Sequence, residues 1–299
     1  MPDEIFTLGH SPDPDDAFMF YAMAENKIDL RGYRFEHRLE DIQTLNERAL
    51  RGELHISAIS IHAFAYVSNR YALLPCGASM GDGYGPLLVA LEAPNPKSAS
   101  RTDSSIGEFQ APNSDAREWL QKRTIAVPGT MTSAYLALKL YLGDFDHVVV
   151  PFDQIFDAVK AGKADAGLII HEGQLTYEGA GFTKIVDLGE WWKRETGLPL
   201  PLGGNVLRKD IPPSVQRDLL AIMRESIDYG LAHRAEAVRH SMPYARDMDA
   251  QLAGKFIGMY VNDYTRDYGE SGRKAIREFL KRANDAGYID KAPAIEFVE

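Results

Sequence analysis

Short apolar runs of strand type alternate with amphipathic stretches of helical length along most of this chain, which directs it to an α/β fold with helices packed on sheets. EIFTLG at 4–9 reads as a strand. The following SPDPDD reads as a turn whose aspartates are placed to cap the next segment, and AFMFYAMAENKI has the length and period of a helix. GYRFEHRLE at 32–40 alternates as a second strand, DIQTLNERALRGE reads as a helix, HISAIS at 55–60 as a third strand and HAFAYVSN as another helix. YGPLLVAL at 84–91 is an apolar strand. The next stretch, EAPNPKSASRTDSSIGEFQAPNSD, is rich in Ser, Pro, Asn and Asp and has no apolar periodicity, so it reads as an exposed connector. The alternation then resumes with AREWLQKR (helix), TIAVPG (strand), TMTSAYLALKLYLG (helix), HVVVPF (strand), FDQIFDAVKAGK (helix), ADAGLII (buried strand) and the apolar TKIVDLGEWW. After GLPLPLGGNVLRKD the chain reads as helical almost to its end.

Two segments echo one another. ALRGELHISAIS and AVKAGKADAGLII each read as an amphipathic helix, a glycine-containing turn, and a buried strand that runs into a polar residue. One lies before the connector and one after it, as expected of two α/β lobes that each bring a strand end to a shared cleft, because ligands of open α/β sheets sit beyond the carboxyl ends of strands.

The 299 residues suffice for one large domain or two ordinary ones. With 33 basic against 43 acidic residues and a net charge of −10, the chain has no positive excess to neutralise a nucleic-acid backbone or an anionic membrane. A local pocket for one small anion is compatible with that balance. The single cysteine, Cys76, excludes an intrachain disulfide and a cysteine-rich metal site, and it reads as a buried thiol. The start, MPDEIFTLGH, carries acids where a secretory leader needs Lys or Arg, and no run approaches the ~18 apolar residues of a membrane helix, so the expected address is the cytoplasm. Nothing in the sequence gives the oligomeric state.

Four places carry candidate chemistry. His171 follows the apolar GLII, so a buried strand ends by delivering an imidazole to its edge. With an ordinary pKa of about 6.5, that ring can serve as a neutral base; the alternative is a packed histidine satisfied by a carbonyl. PGTMTSAY at 128–135 joins a strand to a helix, where unpaired first-turn amides with Thr132 and Ser133 suit a carboxylate or phosphate, or where the same residues simply cap. Asp13, Asp15 and Asp16 stand at the first strand-to-helix turn. Carboxylates there can cap the helix, hold a metal or bond substrate hydroxyls; with no HxxxH, HExxH or CxxC companion, a metal is not expected and capping is. Ser60 ends HISAIS without a GxSxG elbow, which makes it a donor to substrate and not a nucleophile. Phe18, Phe20, Tyr21, Trp191 and Trp192 suit either a flat ring ligand or the core.

SPDPDDAFMFYAM, LEDIQTLNERAL, VPGTMTSAYLAL, ADAGLIIHEGQLTY and DLGEWWKRETGLPLPLGG, in that order and spacing, resemble the 1,4-dihydroxy-6-naphthoate synthase family of the futalosine route to menaquinone. The resemblance implies a periplasmic-binding-protein-like type II fold, with residues 1–91 and 204–299 as one lobe and 92–203 as the other. It implies conversion of cyclic dehypoxanthine futalosine to 1,4-dihydroxy-6-naphthoate with release of dihydroxyacetone, a carbon–carbon lyase reaction without an organic cofactor. Carried over by motif, the proton acceptor falls on His171 and the substrate contacts on Asp16, Ala58, Ile59, Ser60, Ser133 and Ala134, with Thr132 beside them at the helix entrance that would hold a ring carboxylate. The common family form Ser-Pro-Cys-Pro-Asn-Asp is here Ser-Pro-Asp-Pro-Asp-Asp, which keeps Asp16 and adds the charges of Asp13 and Asp15. The connector over 92–123 is longer than usual for the family and is expected at the surface. Two other readings share the fold: chorismate dehydratase of the same pathway, and a non-catalytic solute-binding protein.

Overall fold

The computed structural model describes residues 5–92, 114–246 and 248–299. Most of the expected connector therefore lies outside the described residues; its end forms the helix Ser114–Gln121. Eleven strands are present among the described residues: β1 (Ile5–His10), β2 (Arg34–Leu39), β3 (Ile56–Ser60), β4 (Tyr71–Leu73), β5 (Ser79–Gly81), β6 (Leu87–Ala90), β7 (Ile125–Val127), β8 (His147–Val149), β9 (Ala166–Ile169), β10 (Thr183–Asp187) and β11 (Leu200–Arg208). They form two sheets. The first runs β2-β1-β3-β11-β4 with β5 also paired to β11, and the second runs β10-β6-β9-β7-β8. β1 is parallel to β2 and β3, whereas β11 lies antiparallel to β3, β4 and β5.

These pairings shift two of the expected boundaries. β6 was expected in the first lobe, yet its four fully buried residues pair with β9 and β10 in the second sheet. Residues 200–203, expected in the second lobe, begin β11 of the first. The sheets thus change over before 87 and between 187 and 200. β4, β5 and β11 were not read as strands: the first two have three residues each, and β11 begins LPLGG, which by composition is a turn.

Two chain segments cross between the sheets side by side, with Leu188 N–H donating to the Pro86 carbonyl at 3.0 Å. They touch backbone to backbone: a Cβ on Gly189 would lie 1.9 Å from the Tyr84 carbonyl oxygen. One apolar core runs beneath this crossing, joining Ile59, Met80 and Val206 of the first sheet to Leu88 and Ile125 of the second. Phe18, Phe20 and Tyr21 pack in a second cluster behind the first sheet, and Trp192 sets its ring edge-on to Phe279 in the shared core, so these aromatics are packing residues. Cys76 is buried there, its thiol pushed up to about 12 by the loss of solvent.

Local chemistry starts the helices that carry the site. Asp41 accepts from the Gln43 and Thr44 amides at 3.0 and 3.1 Å and opens the helix Ile42–Arg51, which Gly52 ends in a left-handed conformation. The helix Pro14–Ala24 departs from expectation. Asp13 occupies its cap position, but its carboxylate makes no capping bond; Ser11 Oγ (2.8 Å) and Arg246 Nη1 (3.1 Å) hold it instead.

Candidate active site

A cavity of about 120 Å³ lies between the lobes. Asp16, Ala58, Ile59, Ser60, Thr132, Ser133 and Ala134 all line it. Asp13 and Asp15 lie on the same wall as Asp16.

From the first lobe, β3 ends at Ser60, whose N–H donates to Asn46 Oδ1 (2.8 Å) and whose Oγ accepts from Asn46 Nδ2 (3.0 Å). The hydroxyl proton of Ser60 is thereby left for a ligand. Asn46 Nδ2 also reaches the Met131 carbonyl at 3.3 Å, so one amide locks the end of β3 to the second lobe. Gln43 adds a second tie, accepting from the Met131 N–H at 3.2 Å.

From the second lobe comes the helix Ser133–Leu142. Thr132 caps it: Oγ1 accepts from the Tyr135 amide (3.1 Å) and donates to the Gly129 carbonyl (2.9 Å), which commits the hydroxyl to the protein. Ser133 Oγ accepts from the His62 amide at 3.1 Å. The Ser133 and Ala134 amides have no protein acceptor among the described residues, so the positive end of this helix is open to the cavity.

The acidic wall is unusual. Asp16 accepts from the Ser11 amide at 2.7 Å, yet burial holds its carboxyl up to about 7. Burial, followed by the charges of Asp16 and Asp13, pushes Asp15 well above the carboxylate range.

His171 is placed differently from expectation. Ile170 and Gln174, on either side of it in the chain, line the cavity, but its own ring does not. Nδ1 accepts from the Gly173 amide at 3.0 Å, and the ring packs edge-on to Phe152 and Phe156. Burial lowers its pKa, so the imidazole is neutral.

Sequence reasoning missed Arg246. Its Nη1 bonds Asp13 Oδ1 (3.1 Å) and Glu172 Oε1 (3.2 Å), Nη2 bonds the Pro12 carbonyl (3.2 Å), and the guanidinium lies over the Phe152 ring. It also missed Tyr260, which donates to Gln174 Oε1 at 2.6 Å. Asn46 left a readable signal, since it follows Ile42 by one helical turn on the apolar face of its helix. Among the described residues, no three His, Cys, Asp or Glu side chains stand close enough to hold a metal ion, and no helix is long and apolar enough to cross a membrane.

Two α/β lobes joined by paired crossings, with strand and helix ends converging on the cavity between them, define the periplasmic-binding-protein-like type II class. Similarity carries this further. A family model described as menaquinone biosynthesis matches residues 6–285. The 1,4-dihydroxy-6-naphthoate synthase of Thermus thermophilus is 37% identical over 295 residues, covering 99% of this chain and 100% of the relative. A crystal structure of a protein from Archaeoglobus fulgidus superposes with a TM-score of 0.84 at 42% identity, covering 95% of this chain and 98% of that one. An alkanesulfonate-binding protein of Xanthomonas axonopodis pv. citri bound to MOPS superposes with a TM-score of 0.70 at 11% identity, covering 99% of each chain, and shares the fold alone. The chain belongs to the 1,4-dihydroxy-6-naphthoate synthase family of menaquinone biosynthesis.

Proposed function

We propose that this protein is a cytoplasmic carbon–carbon lyase that converts cyclic dehypoxanthine futalosine to 1,4-dihydroxy-6-naphthoate and releases dihydroxyacetone. The observation that carries this reading is the cavity itself, where unpaired amides at the start of helix Ser133–Leu142 face a hydroxyl donor and two buried acids from the other lobe. The amides of Ser133 and Ala134 bind the ring carboxylate through hydrogen bonds and the helix dipole, without a lysine. Ser60 donates to oxygen that gains negative charge as the sugar-derived part fragments.

His171 is the proposed proton acceptor. Its neutral state suits the role. Nδ1 is engaged by the Gly173 amide, so the turn at 171–174 has to move for the lone pair to face substrate. The cross-lobe ties at Met131, Gln174 and Glu172 are the contacts such a movement breaks and remakes.

One observation favours a second reading, a binding protein without catalysis: the His171 ring is off the cavity wall. Incubating the purified protein with cyclic dehypoxanthine futalosine, and following naphthoate absorbance together with dihydroxyacetone, separates the two. Turnover that His171→Ala abolishes supports the lyase. Tight binding without turnover supports the binding protein, and turnover of chorismate instead moves the chain to the dehydratase.

A further inference from the structure

We propose that Asn205 and Asp15 form a hydroxyl-reading subsite on the first-lobe wall, which turns the polyol part of the ligand toward that wall and its anionic end toward the Ser133 and Ala134 amides. This rests on the cavity being the binding site, as proposed above, and adds residues that neither the resemblance nor the comparisons assign.

Asn205 sits on β11 opposite Ala58, lines the cavity and is only 1% exposed. Its Nδ2 donates to the Gly77 carbonyl at 2.9 Å, and that contact fixes which way the amide faces. Gly77 has a positive φ of 75°, and a Cβ there would lie 2.4 Å from Nδ2, so the glycine is what lets the two groups approach. Asn205 Oδ1 is left buried with no donor. A buried carbonyl oxygen without a donor is costly, and buried groups of this kind mark places where a ligand completes the bonding.

Asp15 lines the same cavity and is 9% exposed. Arg246, at this end of the cleft, is committed to Asp13 and Glu172. Burial, with Asp16 and Asp13 beside it, pushes the Asp15 carboxyl well above the usual carboxylate range, toward the protonated form that can both donate and accept. A hydroxyl matches both partners: it donates to Asn205 Oδ1 and exchanges bonds with a carboxylic acid. An anion finds no free cation at this wall, because Arg246 is already committed to Asp13 and Glu172, which leaves it the helix end across the cleft.

The reaction product tests this cleanly, because 1,4-dihydroxy-6-naphthoate keeps the carboxylate and has lost the three-carbon polyol. Binding of substrate and of naphthoate is measured for wild type, Asp15→Leu, Asp15→Asn and Asn205→Ala. Asp15→Leu and Asn205→Ala are expected to weaken substrate binding about tenfold or more and naphthoate binding by no more than about twofold. Asp15→Asn, a neutral donor and acceptor, restores substrate binding to within about threefold of wild type. Equal losses for both ligands, or Asp15→Asn as poor as Asp15→Leu, overturn the subsite. If wild type binds neither compound, the functional reading fails on its own. The subsite is then judged by thermal shift with glycerol and with ethylamine: stabilisation by the polyol that Asp15→Leu removes supports it, and stabilisation by the amine alone or by neither overturns it.

Discussion

Arg246 of the first lobe meets Glu172 of the second, Nη1 to Oε1 at 3.2 Å, one residue from His171. The Glu172 side chain is 5% exposed and its Oε2 has no hydrogen-bond donor, so this carboxylate depends on the guanidinium. The same nitrogen holds Asp13, which makes Arg246 a strut between the strand-to-helix turn of one lobe and the turn at 171–174 of the other.

Arg246→Ala is therefore expected to loosen closure. Small-angle scattering should show a larger radius of gyration than wild type, and kcat/KM should fall about tenfold or more as the turn at 171–174 loses its register. An unchanged radius together with unchanged turnover would show the strut to be incidental.

Gly189→Ala puts a methyl group into the Tyr84 carbonyl at the crossing of the two segments. Backbone cannot rotate out of the way as a side chain does. The expected loss is about 3 kcal/mol or more of unfolding free energy, read by denaturant titration. A variant within about 0.5 kcal/mol of wild type would mean that the crossing segments are free to separate.

Asp187 caps the helix Leu188–Thr196 by accepting from the Gly189 and Glu190 amides, while burial holds its carboxyl up to about 6. A raised folded-state pKa means that the folded chain keeps a proton the unfolded chain gives up. The stability from that proton is complete below about pH 3.8 and is lost as pH rises through about 6. Asp187→Asn keeps the capping oxygen and removes the titration. Melting temperatures of wild type relative to Asp187→Asn should fall between pH 4 and pH 7, and a constant difference would refute the shift.

Much of this architecture was legible where burial and sequence period agree. β1 and β3 end in the polar residues His10 and Ser60, the buried β9 runs on through Ile170 to His171, and these strand ends pointed to the cleft. β11 was hidden because Pro201, Gly203 and Gly204 read as a turn, while tertiary pairing on both sides makes them a central strand. At the site, residues that act at the end of their own element, such as Ser60 and Ser133, could be found from the chain. Asn46 and Arg246 act on groups 85 and 74 residues away, at Met131 and Glu172, and no local pattern encodes such reach. The ring orientation of His171 depends on the Gly173 amide and two phenylalanines, which is a property of packing.

The position of β11 also sets an order of assembly during synthesis. Every strand of the second sheet lies between residues 87 and 187, so that sheet is complete before β11 has been made. The first sheet waits with the long edge of β3 unpaired until residues 200–208 emerge. An open, apolar strand edge is a template for other chains, so the nascent first lobe is the part of this protein most in need of chaperone protection on the ribosome.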